Sequence, residues 1–308
     1  MRGALVWLGS LLTLALASVA HPAERVDGAL EAEVARLRSA AFRLRLERSI
    51  RVLRVSEAVR IHGRELCGGK VSPVLGVIAA SEEEVPRFFR ETARRDFGVG
   101  EKVRLLWVEV GYPAAQAGLQ AGDLILEVDG RRLLTATSLY SRNPGRIGPH
   151  LNMRVERHGR VFDVQVEAPL GCFAASTVRG ADYANASMGG GQVAITTGML
   201  RFVESNDEIA LILGHEIAHH ILSHTASRPS YEADADYMGC YLAARAGFDV
   251  SVAPHLWERF GRFEPFSLDN DRRSHPGTPE RALALEATIE EIHSKQIRGE
   301  PLWPREAP

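Results

Sequence analysis

The 308-residue sequence has little net charge, few cysteines and few long apolar runs. Its 37 basic and 39 acidic residues leave a formal charge of −2, and the two signs are mixed along the chain. No basic stripe predicts a nucleic-acid surface, and no polybasic patch predicts binding to lipid head groups. The length predicts about two domains.

An apolar run stands at the start of the chain. Met1-Arg2 precede it, it covers residues 4–17, and the small-residue sequence Ser18-Val19-Ala20 follows. This pattern predicts a cleaved signal peptide over residues 1–20. We therefore expect a periplasmic protein, with a signal-anchored form facing the periplasm or a secreted form as the alternatives. From His21 onward no stretch is long enough to cross a bilayer.

The most informative segment is H-E-x-x-H at residues 215–219. His215 and His219 are four residues apart, so on a helix they share one face and can point at one metal ion. Zinc suits this pair because neutral imidazoles bind it in a tetrahedral site. Glu216 lies beside them, where it can accept a proton from water instead of binding the metal.

The segment before the motif predicts a buried helix. Ser205 and Glu208 form a capping-box pattern, and the apolar run 209–213 follows at once. A buried helix is the setting that the metal motif needs. The alternative is a surface helix that carries its histidines by chance.

A third ligand is predicted just downstream. Glu232 and Asp236 are also four residues apart, on a helix expected to run from about Ser230 to Gly247. We predict that Glu232 binds the metal and that Asp236 orients a ligating imidazole. The alternative is a solvated acidic face near a helix N-terminus, which the helix dipole favours.

These patterns together resemble the zinc metallopeptidases of family 48, the group of the CAAX prenyl protease, HtpX and the BepA-like peptidases. The resemblance covers about residues 171–285. Its motifs are H-E-x-x-H at 215–219, E-x-x-A-D at 232–236, A-I-T-T-G-M-L at 194–200, and His275-Pro276 followed by Arg281. It implies one zinc ion per chain, with His215, His219 and Glu232 as ligands and Glu216 as general base. Twelve residues separate His219 from Glu232, fewer than in many relatives.

Two further residues receive roles from this resemblance. His275 is implied as a fourth, regulatory ligand or as a donor to the oxyanion of the intermediate. The alternative is a loop histidine that is hydrogen-bonded to backbone. Arg281 is expected to orient a carboxylate in the core.

A second resemblance covers the middle of the chain. P-A-A-Q-A-G-L at 113–119 and G-D-L-I-L-E-V-D-G at 122–130 resemble the core of bacterial PDZ domains, and Leu75-Gly76-Val77 resembles their carboxylate-binding loop. PDZ domains add a peptide as an edge strand and hold its C-terminal carboxylate with backbone N–H groups. Leu75, Gly76 and Val77 are the implied groups. The alternative is a spacer whose groove is lost.

The predicted fold class is α+β. A mostly helical, gluzincin-type peptidase core with a small β-hairpin carries an inserted, β-rich PDZ-like domain. The predicted divisions are 21–69 for the N-terminal helices, 70–169 for the insertion, 170–298 for the catalytic core and 299–308 for a disordered tail. In the core, residues 193–196 are predicted to be an edge strand that aligns substrate.

The three cysteines fit this division. Cys67 and Cys172 stand at the two ends of the predicted insertion, so in an exported protein they could form a disulfide. Cys240 is then left as a small apolar residue on the helix that carries Glu232.

The sequence therefore predicts an exported zinc endopeptidase that acts on misfolded or envelope proteins in quality control. Its PDZ-like domain would select substrates through their C-termini. The alternative is a proteolytically silent binding or chaperone module with a structural zinc site. Neither the substrate, the cleavage preference nor the oligomeric state follows from the sequence.

Overall fold

The computed structural model describes residues 22–139, 148–224, 229–263 and 279–305. The predicted signal peptide and His275 lie outside the described residues. The helices are α1 Pro22–His62, α2 Arg90–Phe97, α3 Pro113–Gln116, α4 Thr197–Phe202, α5 Asn206–Ile221, α6 Pro229–Arg245, α7 Ala253–Phe263 and α8 Pro279–Ile297. Helices and sheets are both well represented, which confirms the α+β class.

The strands fall into three sheets. Their bounds are β1 Val71–Pro73, β2 Val77–Ala80, β3 Val103–Val108, β4 Leu124–Val128, β5 Arg131–Arg132, β6 His150–Arg157, β7 Arg160–Glu167, β8 Leu170–Cys172, β9 Ala175–Arg179, β10 Ala186–Gly189 and β11 Gln192–Thr196. Strands β2 to β7 form one six-stranded sheet, β1 pairs with β8, and β9 to β11 form the third sheet.

Helix α1 packs on the core with its C-terminal half only. Val52, Val55 and Val59 on that half are buried. Leu30 and Leu37 on the other half are 61% and 53% exposed. Part of the N-terminal half lies against α2, where the Ser39 and Asp96 side chains are hydrogen-bonded.

The six-stranded sheet has the order β2-β3-β4-β6-β7, with β5 beside β4. Strands β6 and β7 are paired along their whole length around His158-Gly159. Both turn residues have positive φ, 49° and 78°, the conformation that a two-residue hairpin needs. Alternate side chains of these strands, such as Val155 and Val166, are completely buried.

The inserted unit enters and leaves the helical unit through one pair of short strands. Strands β1 and β8 are antiparallel, with Val71 opposite Cys172. Cys67 and Cys172 form a disulfide with a Cα–Cα distance of 5.6 Å. The fully buried Arg60 donates to Cys172 O (2.8 Å) and to Pro73 O (3.2 Å). Both ends of the insertion are thus fastened to the end of α1.

The small sheet corrects one prediction. Its order is β10-β11-β9, so residues 193–196 on β11 lie in the middle and are not an edge strand. The reason is a parallel pairing of β11 with β9, in which Val193 lies opposite Ser176. Strand β10 is one edge of this sheet, and α5 packs against it.

The predicted disorder of residues 299–308 is also wrong for the described part, residues 299–305. Arg245 donates to Leu302 O (3.0 Å) and its guanidinium lies 5.2 Å from the ring centre of Trp303. Lys295 donates to Trp303 O. These contacts, with buried Pro304, hold the segment on α6 and α8. In the part of the chain that the structure describes, no helix combines the length and apolar character of a membrane span.

Candidate metal centre

Helix α5 is capped and buried before the motif begins. Ser205 Oγ accepts from Glu208 N (3.1 Å), as the capping-box pattern predicts. The Glu208 carboxylate accepts from Glu204 N (2.7 Å) and pairs with Arg259 (2.6 Å). Those contacts neutralise a buried acid at the positive end of the helix. From residue 208 to residue 218 every residue of α5 is buried, so the start of the motif lies inside the core.

Two helical glycines let α5 and α6 cross at backbone contact. A Cβ atom added to Gly214 would lie 2.6 Å from Gly239 O, and one added to Gly239 would lie 2.7 Å from His215 N. Each glycine costs its helix roughly 1 kcal/mol relative to alanine. What they provide is the close approach that brings His215 to the side chains of α6. The sequence reasoning missed both, although two glycines inside predicted helices are a signal of close packing.

The structure brings His215, His219 and Glu232 to one point, with ligand atoms all within 4.8 Å of one another. The two Nε2 atoms are 3.0 Å apart. The Glu232 carboxylate oxygens lie 3.4 Å from His215 Nε2 and 3.5 Å from His219 Nε2. Ligands about 2.0–2.1 Å from a tetrahedral zinc are roughly 3.3–3.4 Å apart. The three side chains therefore fit a zinc ion.

Asp236 lies behind the first imidazole. Asp236 Oδ1 lies 2.9 Å from His215 Nδ1, which turns Nε2 of the same ring toward Glu232. Arg281 holds Asp236 with two hydrogen bonds, Nε to Oδ2 (2.7 Å) and a terminal nitrogen to Oδ1 (2.8 Å). The Arg281 guanidinium lies 4.6 Å from the ring centre of Trp257. Carboxylates of this kind fix the tautomer and orientation of a metal-binding histidine.

The electrostatics of the cluster favour a cation at the centre. Burial alone lowers the pKa of His215, but hydrogen bonds to Asp236 and Glu232 outweigh it and raise that pKa to about 9. Burial raises the pKa of Asp236, whereas Arg281 and His215 lower it more, so that it lies below its usual value. An ionised Asp236 behind His215, with two imidazoles and the Glu232 carboxylate at the centre, is a suitable arrangement for zinc.

His224 is a neighbour that the sequence reasoning did not single out. Its Nδ1 lies 3.0 Å from Nδ1 of His219, and its ring stacks on Tyr231 with 4.1 Å between centroids. His224 thus supports the second imidazole as Asp236 supports the first. No local pattern indicates it, because the contact depends on how the chain turns after α5.

The remaining predicted residues lie as follows. Glu216 is on α5, about 100° from His215 and 60° from His219 around the helix axis, and is only 4% exposed. Leu75, Gly76 and Val77 are buried at the start of β2, where Gly76 has φ of 72° and its α-carbon lies against Tyr112. His275 falls outside the described residues.

Replacing Asp236 with Asn is expected to lower zinc affinity about 10- to 100-fold, the usual effect of losing such a partner. An amide keeps the shape but loses the charge that Arg281 and His215 share. Competition with a fluorescent zinc chelator measures the affinity. Asp234→Asn, on the same helix, is the control and should bind zinc as the wild type does.

Comparison with known proteins agrees with this geometry. A family model described as peptidase family M48 matches residues 149–231, and a PDZ domain model matches residues 104–141. The chain carries a peptidase family M48 domain and a PDZ domain. The M48 match contains the H-E-x-x-H motif and ends at Tyr231, so the place of Glu232 in the site rests on the distances above.

The similar proteins are matched over short regions. The chain is 25% identical over 131 residues to mitochondrial metalloendopeptidase OMA1 of Arabidopsis thaliana, covering 31% of this chain and 27% of that protein. It is 40% identical over 58 residues to a putative zinc metalloprotease of Brucella suis, covering 19% of this chain and 15% of that protein. A crystal structure of the HtrA3 PDZ domain bound to a phage-derived ligand is 18% identical, with a TM-score of 0.26, and covers 32% of this chain and 88% of that one.

The M48 family implies zinc, and the described residues provide a possible His/Glu site for it. The PDZ domain match covers most of β3 together with β4 and β5 of the six-stranded sheet. The helices that hold the metal ligands belong to the other unit, and the β1–β8 pair with the disulfide joins the two.

Proposed function

We propose that this protein is an exported zinc-dependent endopeptidase with one zinc ion per chain. The observation that carries the proposal is the approach of His215, His219 and Glu232 at the edge lengths of a zinc tetrahedron. The M48 match and the metalloprotease relatives support the same reaction class. Three protein ligands leave a fourth position open, as hydrolytic sites require.

Each residue of the site has its own role in the proposed reaction. A zinc ion held here would polarise a peptide carbonyl and lower the pKa of a water molecule toward about 7. Glu216 accepts the proton of the attacking water and passes it to the leaving amine. Asp236 keeps Nε2 of His215 aimed at the centre, and Arg281 keeps Asp236 ionised. His275 is proposed as a donor to the oxyanion or as a regulatory ligand.

The PDZ domain is proposed to select the substrates. The loop at Leu75, Gly76 and Val77 would take the C-terminal carboxylate of a protein whose end is exposed, as misfolded or damaged envelope proteins expose theirs. The Cys67–Cys172 disulfide supports an oxidising compartment such as the periplasm. Quality control of envelope proteins is the role that fits both features.

Metal removal tests the proposal. Protein that hydrolyses unfolded casein is expected to lose all measurable activity when stripped by a chelator, because the carbonyl and the water are then no longer activated. One equivalent of zinc per chain should restore it, with metal content measured in the same samples.

Two outcomes would count against the enzyme. Casein hydrolysis that persists in metal-free protein would exclude a zinc peptidase. Zinc-loaded protein that binds C-terminal peptides but cleaves none of a panel of unfolded proteins would favour the binding or chaperone module.

A further inference from the structure

A cavity of about 290 Å³ lies between one end of the six-stranded sheet, helix α1 and strand β9. Three elements form most of its wall: α1 from Phe42 to Glu57, the whole of β2, and β9 from Ala175 to Val178. None of the three metal ligands lines it. Its volume is close to the lower end for ligand pockets, roughly 300–1,000 Å³. It is therefore a separate place where something could bind.

Strands β2 and β9 run in the same direction beside α1. Near the end of α1, Arg60 donates to Pro73 O, before β2, and to Cys172 O, before β9. Further back along the helix, Phe42 belongs to the apolar cluster against which Ala80, at the end of β2, is packed, and both residues line the cavity. Arg45 approaches to within 3.8 Å of the Cβ position of Gly180, just past β9. Both strands thus begin near Arg60 of α1 and end near residues 42–45 of the same helix.

Each of these strands is the last of its sheet. Strand β2 ends the order β2-β3-β4-β6-β7, and β9 ends the order β10-β11-β9. Within the described residues, neither pairs with another strand on its outer side. Sheet edges accept an extended peptide as an added strand. Because β2 and β9 run in parallel, a peptide that is antiparallel to one is antiparallel to both.

The charges around the cavity indicate what such a peptide carries. The acids on its wall already have partners: Glu57 pairs with Arg60 (2.5 Å), and Glu84 accepts from the N–H groups of Ala136 and Thr137 (both 2.8 Å). Arg45 is half-buried, and its guanidinium has no acidic partner among the residues that the structure describes. A half-buried cation of this kind is stabilised by an anion that completes its hydrogen bonds.

We propose that one extended peptide with an acidic side chain docks between β2 and β9, with that acid on Arg45. Its C-terminal end lies at the Leu75–Val77 end of the cavity and its upstream residues at the Arg45 end. Arg45 is thus a specificity-determining residue for peptides that carry Asp or Glu a few positions before the C-terminus. This rests on the peptide-binding role proposed for the Leu75–Val77 loop and deepens it, because β9 of the M48 match forms a second wall of the site.

The site is distinct from the place of cleavage. Strand β9 is at the opposite edge of its sheet from β10, which packs against α5, and two strand spacings separate these edges by roughly 10 Å. A peptide beside β9 is therefore held away from the metal ligands. The C-terminal segment of a substrate is anchored in the cavity, and the chain upstream of that segment reaches the metal centre.

Peptide binding tests this directly on the full-length Glu216→Gln protein, which keeps the measurement independent of cleavage. The probes are fluorescein-labelled nonapeptides that end in valine and carry Glu, Gln or Lys at the fourth, fifth or sixth position from the C-terminus. At one of these positions the Glu peptide should bind roughly tenfold tighter than the Gln peptide, the gain expected from one charge-assisted hydrogen bond. Arg45→Gln should abolish this preference, and Arg45→Glu should shift it to the Lys peptide.

The matched control is Arg38→Gln, the same change at an exposed position of the same helix, which should keep the preference for Glu. A peptide with a benzoylphenylalanine beside the acidic position should cross-link to residues 175–178. Equal binding of the Glu and Gln peptides at all three positions, no binding at all, or cross-links confined to the PDZ domain would overturn the proposal. None of these outcomes depends on whether the protein is a peptidase.

Discussion

Replacing Glu216 with Gln is expected to reduce casein hydrolysis by about 10²- to 10⁴-fold, the usual contribution of a general base. Glutamine fills the same space on α5 but cannot accept the proton of the attacking water. The ligands His215, His219 and Glu232 are unchanged, so zinc content should stay at the wild-type value. The decrease should appear in kcat, because a proton transfer made in the transition state is what is lost.

The comparison that isolates this role is Glu290→Gln, the same change at an exposed position of α8. It should leave both hydrolysis and metal content unaltered. Zinc content and thermal unfolding are measured beside activity for each variant. A zinc-loaded Glu216→Gln protein that kept more than a tenth of the wild-type kcat would remove Glu216 from the proposed mechanism.

The parts of the site that sequence alone could predict are those set by helix periodicity. The spacing of four residues brings His215 beside His219 and puts Glu232 one turn from Asp236. The structure adds that these faces of α5 and α6 pack against each other, with Asp236 Oδ1 beside Nδ1 of His215. Their roles in catalysis stay predictions. The disulfide could be predicted for a different reason, because both cysteines flank one recognisable insertion.

What escaped prediction depends on contacts between segments that are distant in sequence. Residues 193–196 are predicted to be an edge strand, because the neighbouring sequence gives no sign that β9 pairs with them on the other side. Residues 299–308 are predicted to be disordered, yet Arg245 and Lys295 donate hydrogen bonds to carbonyl groups of this segment. His224 and the cavity at Arg45 also arise only when separate elements pack together. The sequence pattern predicts which residues share one face of a helix or strand. Which other element packs against that face depends on the tertiary structure.

Replacing Gly239 with Ala is expected to destabilise the protein by about 1–3 kcal/mol, the usual cost of overpacking. The new methyl group would lie 2.7 Å from His215 N and 3.0 Å from Gly214 C. Both are backbone atoms, so α5 and α6 must separate. That movement draws Glu232 away from the two histidines, so zinc affinity should fall along with stability.

The sign of the change in stability distinguishes a steric clash between α5 and α6 from an effect of helix propensity alone. Alanine improves an unobstructed helical position by roughly 1 kcal/mol relative to glycine. Gly28 on α1 has no atom within 4 Å of its Cβ position, so Gly28→Ala should stabilise the protein slightly and leave zinc binding alone. Gly239→Ala should do the opposite in both respects, as measured by denaturant unfolding and zinc competition. Were Gly239→Ala as stable as Gly28→Ala, the backbone contact between the two helices could not be what positions the metal ligands.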